Sequence, residues 1–206
     1  MDTEFPSFQG WSELFEAHGC LLSIPTYAKH IGSPGAYDLF AHLEAQVGRS
    51  LDRSALTEKR RQRYYELTVD QQPFPGVKDY LVDAKRHGLT LGIASGSRRE
   101  WVEDHLHKFD LRAYFDCITG AEDVSCIKPD PEVYERTLDA LGLGPEQVVA
   151  FEDSPQGVTA AQRAGIYCVA VPNRVTRQLS LDHADFQLAS FSTLSLAQLF
   201  VHLQAV

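Results

Sequence analysis

The chain has 206 residues, a formal net charge of −9, 44% apolar residues and 23% charged residues. That length suits one compact domain, or one domain carrying a smaller insert. The acidic balance argues against a nucleic-acid binder, although a few local cations can still hold one phosphate. No segment reaches the apolar length that spans a bilayer. The start, Met1-Asp2-Thr3-Glu4-Phe5, has no apolar run behind a basic stretch, so it does not read as a secretory signal. Cys20, Cys117, Cys126 and Cys168 are scattered without a CxxC pair. That pattern disfavours zinc and fits reduced thiols in a cytoplasmic protein.

The first third reads as helical. Trp11, Leu14, Phe15 and His18 share one helical face, which ends at His18-Gly19. Pro34-Gly35 breaks the chain, Tyr37 to Leu43 restarts a helix, and Ser54 to Glu58 opens another, rich in Arg and Lys. No strand is expected before residue 88. Pro73-Phe74-Pro75-Gly76-Val77 punctuates the chain, and the rhythm then changes. A helix is predicted over Val77 to His87, a strand over Leu89 to Ala94, and a helix from about Arg98 to Phe109. A strand at Cys117 to Thr119 and a helix from Pro131 to Leu141 follow, with Pro131 in the first turn. Next come a strand at Val148 to Phe151, a helix from Pro155 to Ala164, and a strand at Tyr167 to Val171. A weak strand near Phe186 to Leu188 leads to a helix over Leu194 to Leu203. Short apolar strands alternating with helices imply a parallel sheet covered on both faces, with ligands outside the carboxyl ends of the strands.

Three polar clusters follow strands. Ser95-Gly96-Ser97 offers a hydroxyl and backbone N–H groups to an anion, but taken alone the cluster is better read as Ser97 capping the helix. Lys128, in Ile127-Lys128-Pro129-Asp130-Pro131, is held between prolines. A fixed ammonium there suits a phosphate oxygen or a carboxylate. Glu152-Asp153-Ser154-Pro155 puts adjacent carboxylates at a strand end, which suits magnesium, while Ser154 alone could cap the following helix.

In this order the clusters resemble the haloacid dehalogenase superfamily, in the group of phosphatases and phosphomutases similar to β-phosphoglucomutase. The resemblance includes Asp2-Thr3-Glu4, Pro75-Gly76-Val77, Ala94 to Ser97, Lys128 to Pro131 and Phe151 to Val158, with Ala164-Gly165 after it. It implies an α/β fold: a Rossmann-like parallel-sheet core, residues 1–4 and 73–206, with an inserted helical cap at residues 5–72. It implies a phosphatase acting on a small phosphorylated metabolite, with Mg2+ as cofactor and an aspartyl-phosphate intermediate, working as a monomer. Ser95 and Gly96 would bind phosphate, Lys128 would neutralise phosphoryl charge, Asp153 would bind the metal, and Glu152 would do so directly or through water. Such chemistry needs little beyond positioning and charge neutralisation. Lys59-Arg60-Arg61-Gln62-Arg63 in the cap reads as a solvated helix face.

The chain departs from the family at its start. The family's Asp-x-Asp-Gly loop, with the nucleophile and the acid–base aspartate, would fall roughly four to six residues before Met1, together with the first and central strand. That strand would lie between those ending at Ala94 and Phe151. Several unmade buried hydrogen bonds at about 1–3 kcal/mol each would rival a domain's stability of about 5–15 kcal/mol. A shortened start is the favoured explanation, and a catalytically inactive phosphate-ester-binding remnant is the alternative. A phosphosugar mutase is a further alternative, disfavoured because Ser7 stands where mutases carry a histidine and no arginine follows Gly32 closely. A 2-haloacid dehalogenase is disfavoured by Glu152-Asp153, since that chemistry needs no magnesium.

Overall fold

The computed structural model describes residues 1–31 and 37–203. The expected break at Pro34-Gly35 and the position after Gly32 lie outside them. Two compact units are present: Met1–Gln72 with Asn173–Ser180, and Pro73–Pro172 with Leu181–Val206. Residues 1–4, expected with the sheet, group with the helices, as does the Asn173–Ser180 segment.

The first unit contains α1 (Glu4–Glu16), α2 (Ile24–Ala28), α3 (Leu39–Val47) and α4 (Arg53–Thr68). The face read from the sequence is the one buried: Trp11, Leu14 and Phe15 of α1 join Tyr27, Leu39 and Leu43 in one cluster. Two helix starts use aspartates. Asp38 Oδ1 accepts from Ala41 N at 3.0 Å, and Asp52 Oδ1 accepts from Ala55 N at 3.1 Å, so these helices begin later or earlier than their apolar pattern alone suggests. Val175 enters the same cluster fully buried, which ties the late segment to these helices.

The second unit alternates strands and helices. They are α5 (Val77–Arg86), β1 (Gly92–Ala94), α6 (Arg99–Lys108), β2 (Cys117–Thr119), α7 (Glu132–Leu141), β3 (Val149–Glu152), α8 (Pro155–Arg163), β4 (Tyr167–Ala170), β5 (Phe186–Gln187) and α9 (Leu196–Leu203). All strand pairs are parallel: β1 with β2, and β3 with β4 with β5. Strand β1 is shorter than the apolar run suggests. Leu89 N closes the end of α5 on Ala84 O, and Leu91 N is taken by the Asp116 carboxylate at 2.8 Å, so ladder pairing starts only at Gly92.

Among the described residues the strands form two sheets, of two and three strands. A cavity of about 660 Å3 lies within this unit, lined by Leu91 and Ile93 of the β1 arm, Val149 and Phe151 of β3, and Tyr80 and Leu199 from the helices. Apolar side chains from both sheets therefore face one space.

Candidate active site

Three chain segments meet at the carboxyl ends of β1 and β3. The Lys128–Pro129 peptide is cis, and Lys128 extends inward until only 14% of its side chain is exposed. Its ammonium donates to the Ala94 carbonyl at 2.9 Å and to Glu152 Oε1 at 2.5 Å. The same Oε1 accepts from the Tyr134 hydroxyl, and the Lys128 ammonium lies 4.9 Å from the centre of the Tyr134 ring. Burial first, then the Glu152 charge, pushes the Tyr134 phenol well above its ordinary value, so it stays a proton donor to the carboxylate.

The placement of Glu152 follows from strand geometry. It is the last residue of β3, pairing with Ala170, and its carbonyl accepts from Val171 N. Successive strand side chains alternate between faces, so Glu152 turns with Ala150 toward the core that holds Tyr134 and Val158, and Asp153 does not. The two acids read from the sequence as one pair therefore differ: Glu152 is buried and ion-paired, while Asp153 is half-buried at the strand's end. Gly157, in the first turn of α8, makes room for the Glu152 carboxylate, since a Cβ there would overlap Oε2. A carboxylate over a helix N-terminus is electrostatically favoured. Ser154 caps that helix, accepting from Gly157 N at 3.1 Å.

The Ser95 segment follows β1 directly, and its position is set by Ser95 N bonding to Thr119 O at 2.9 Å. Ser95 Oγ accepts from Ser97 N at 3.0 Å, which leaves the hydroxyl proton for another acceptor. Capping by Ser97 is not observed. The α6 N-cap is Arg98, and Glu122 takes the Arg99 N–H with both carboxylate oxygens, at 3.1 and 3.2 Å. Gly96 is exposed, and a Cβ there would touch nothing within 4 Å, so packing does not demand this glycine. Lys128 is brought to Ser95 through the neighbouring Ala94 carbonyl and to Glu152 directly. Tyr134, Glu122 and Gly157 were not legible as site residues. Tyr134 reads as an ordinary core aromatic of α7, and only its spacing from Lys128-Pro129 hinted otherwise.

Among the described residues no cluster of three or more His, Cys, Asp or Glu is arranged to hold a metal. Two adjacent carboxylates still fit magnesium, which commonly takes one or two protein carboxylates and completes its octahedron with water and substrate oxygens. Glu152 Oε1 is already shared by Lys128 and Tyr134, so Asp153 is the better-suited ligand. All four cysteines are unpaired thiols. Burial, with the Glu152 charge second, pushes Cys168 up to about 12, which keeps it a neutral core residue.

A buried lysine–carboxylate pair and a serine–glycine turn thus sit together at the carboxyl ends of parallel strands in an α/β protein. The family model for haloacid dehalogenase-like hydrolases matches residues 1–171, and the chain belongs to that family. A protein of Bacillus subtilis (strain 168) named "Putative phosphatase YhcW" is 40% identical over 205 residues, covering 100% of this chain and 93% of that protein. The "Phosphorylated carbohydrates phosphatase" of Thermotoga maritima is 32% identical over 169 residues, covering 81% of this chain and 77% of that one. The crystal structure of a mutant of Rhodobacter sphaeroides CbbY with xylulose-(1,5)bisphosphate superposes with a TM-score of 0.76 at 29% identity. The match covers 96% of this chain and 93% of that one. By this resemblance the protein is a haloacid dehalogenase-type phosphatase. The α/β fold with parallel strands agrees with the sequence reading. Among the described residues no helix is long and apolar enough to cross a membrane.

Proposed function

We propose that this protein hydrolyses a phosphate monoester of a small metabolite through an aspartyl phosphate, with Mg2+ as cofactor. The observation that carries the reading is the buried Lys128 ammonium, held between the Ala94 carbonyl and Glu152 beside Ser95. A cation fixed at a strand end in a low-dielectric setting stabilises phosphoryl charge without reorganising. Ser95 donates its hydroxyl proton to a phosphate oxygen, and the Gly96 N–H donates to a second. Asp153 holds the metal, with Glu152 acting directly or through water, while Lys128 and Tyr134 keep Glu152 in place. The metal, when bound, offsets negative charge between nucleophile and phosphate. The helical unit, Met1–Gln72 with Asn173–Ser180, acts as the cap that reads the leaving group, and the unit of Pro73–Pro172 with Leu181–Val206 forms the catalytic core.

By the family resemblance, the nucleophile is supplied by an Asp-x-Asp-Gly segment. A carboxylate oxygen of its first aspartate attacks phosphorus as the ester P–O bond breaks. The second aspartate gives its proton to the leaving oxygen, then takes one from the water that cleaves the acyl phosphate. Alcohol and inorganic phosphate are released. The relative named "Phosphorylated carbohydrates phosphatase" favours a sugar phosphate as substrate.

The test is phosphate release from sugar phosphates by protein isolated from its native source, with intact mass measured on the same sample. Expected are turnover that stops with EDTA and losses of about 100-fold or more in Asp153→Asn and Lys128→Ala. Near-normal rates in both variants would remove the site assignment. Phosphate-ester binding without turnover, by a chain of matching mass, would replace it with the non-catalytic remnant.

A further inference from the structure

Lys128 stands in a stretch, residues 124–130, that belongs to no helix or strand, yet its ammonium is held on the Ala94 carbonyl and Glu152. Fixing a long side chain in one geometry costs entropy, and the cost grows if the backbone beneath it also moves. The residue that fixes this backbone comes just after it. Glu132 opens α7 and turns back over the loop, where its Oε2 accepts from Ser125 N at 2.7 Å and from Cys126 N at 2.9 Å. The Glu132 N–H donates to Asp130 Oδ1 at 3.0 Å, and Asp130 N donates to Ile127 O at 3.0 Å. The loop is therefore closed on both sides of Lys128. Arg163 of α8 adds a solvent-exposed bond to the Pro129 carbonyl at 3.0 Å.

Two consecutive N–H groups converging on one carboxylate oxygen make charge-assisted bonds, which are about twice as strong as neutral ones. The Cys126 N–H first, then that of Ser125, holds the Glu132 carboxyl below its ordinary range. A plain helix-dipole role does not require this reach, because any acid in the first turn supplies that charge and Glu135 already does. Pairing with Arg136 does not require it either: that guanidinium is 3.5 Å away and 59% exposed, whereas the Glu132 side chain is 20% exposed. Val124, Val133 and Tyr134 pack in one core cluster, so the loop leaves and rejoins a fixed base, and Glu132 ties down the part between.

We propose that Glu132 is a positioning residue for Lys128: it touches no reacting atom, and it holds the 125–130 loop in the one shape that delivers the ammonium to the site. Its bearing on turnover rests on the phosphatase reading above; its bearing on Lys128 does not. The experiment measures acetylation of Lys128 by acetic anhydride, read by peptide mass spectrometry against the exposed Lys78 of the same molecule. In the parent, Lys128 should react at least about tenfold more slowly than Lys78, and Glu132→Ala should speed it about tenfold or more, with circular dichroism showing the fold intact. Glu132→Gln keeps an acceptor oxygen at the same reach and should stay nearer the parent. Glu132→Asp keeps the helix-end charge but is one methylene short, and should behave like Glu132→Ala. That order separates loop positioning from a helix-dipole role, and it decides the matter even if Glu132→Ala does not fold. Adding Glu132→Ala to Lys128→Ala should cost nothing further in phosphate release. Labelling needs no turnover, so it tests Glu132 even in a chain that hydrolyses nothing, a result that would count against the phosphatase reading alone. The proposal is overturned if Lys128 in a folded Glu132→Ala reacts as in the parent, or if Glu132→Asp protects Lys128 and Glu132→Gln does not.

Discussion

Replacing Lys128 by methionine isolates the contribution of the site's central ion pair to stability. The lysine and Glu152 side chains are 14% and 8% exposed and meet at 2.5 Å. Removing the ammonium leaves the Glu152 carboxylate buried with the Tyr134 hydroxyl as its remaining neutral donor, and the Ala94 carbonyl loses its bond. An uncompensated buried charge of this kind costs about 3–5 kcal/mol. With a urea m-value of about 2 kcal/mol/M, the midpoint should fall by about 1.5–2.5 M. Adding Glu152→Gln removes the orphaned charge and leaves an amide that can still accept from Tyr134. The double variant should therefore recover about 2 kcal/mol relative to Lys128→Met. Urea unfolding followed by circular dichroism measures the parent, the Lys128→Met and Glu152→Gln single variants and the double variant. A Lys128→Met midpoint within about 0.5 M of the parent, or a double variant as unstable as the sum of the singles, refutes the claim that Lys128 compensates Glu152.

Gly157→Ala should push Glu152 off its position, because the new Cβ would overlap Oε2; we expect about 1–3 kcal/mol of destabilisation, read by the same assay, together with weaker phosphate binding by calorimetry. Gly76→Ala should cost more than a surface change, at least about 1–3 kcal/mol. The residue has φ 86° and its Cβ would sit 2.5 Å from the Phe191 carbonyl carbon, so an unchanged melting temperature would contradict the close approach. Glu122→Ala should cost about 1 kcal/mol by releasing the Arg99 N–H at the start of α6, with Glu122→Gln losing less; equal losses would count against a capping role. Stability should fall at both pH extremes. Backbone N–H bonds, from Leu91, Gly120 and Cys126 respectively, hold Asp116, Asp123 and Glu132 below the ordinary carboxylate range. That stability is present above about pH 4.5 and lost as pH falls through their folded values. Burial pushes Tyr64 up to about 12 and Tyr27 higher, so the stability they contribute is present below about pH 10 and lost as pH rises through their folded values. A midpoint in urea that stays constant from about pH 7 to about pH 11 would contradict the tyrosine burial.

Much of the fold was readable locally because its cues are local. The periodicity of Trp11, Leu14 and Phe15 identified the buried face of α1, and short apolar runs before Ser95, Glu152 and Val171 located the parallel strands. Pro155 after Ser154 marked a helix start, and Ser154 does cap it. Strand β1 was read too long because hydrophobicity does not show that the Asp116 carboxylate takes the Leu91 N–H from 25 residues away. The Ser97 cap was misread for a related reason: Glu122 reaches the same helix start from a distant loop.

The site divides along the same line. Its candidate residue types and their order, Ser95-Gly96, Lys128 and Glu152-Asp153, are legible in the chain alone, because each follows a short apolar run that reads as a strand. The tertiary structure decided how they are used. Alternation along β3 turned Glu152 inward and separated it from Asp153, making one an ion-pair partner and leaving the other at the rim. Packing of α7 against β3 brought the Tyr134 hydroxyl to the same carboxylate oxygen as Lys128. Within α4, adjacent arginines that look alike in sequence became one buried donor and two surface ion pairs, since about 100° of rotation per residue points each at a different environment. Composition carries no information about that direction; only the packed helices do.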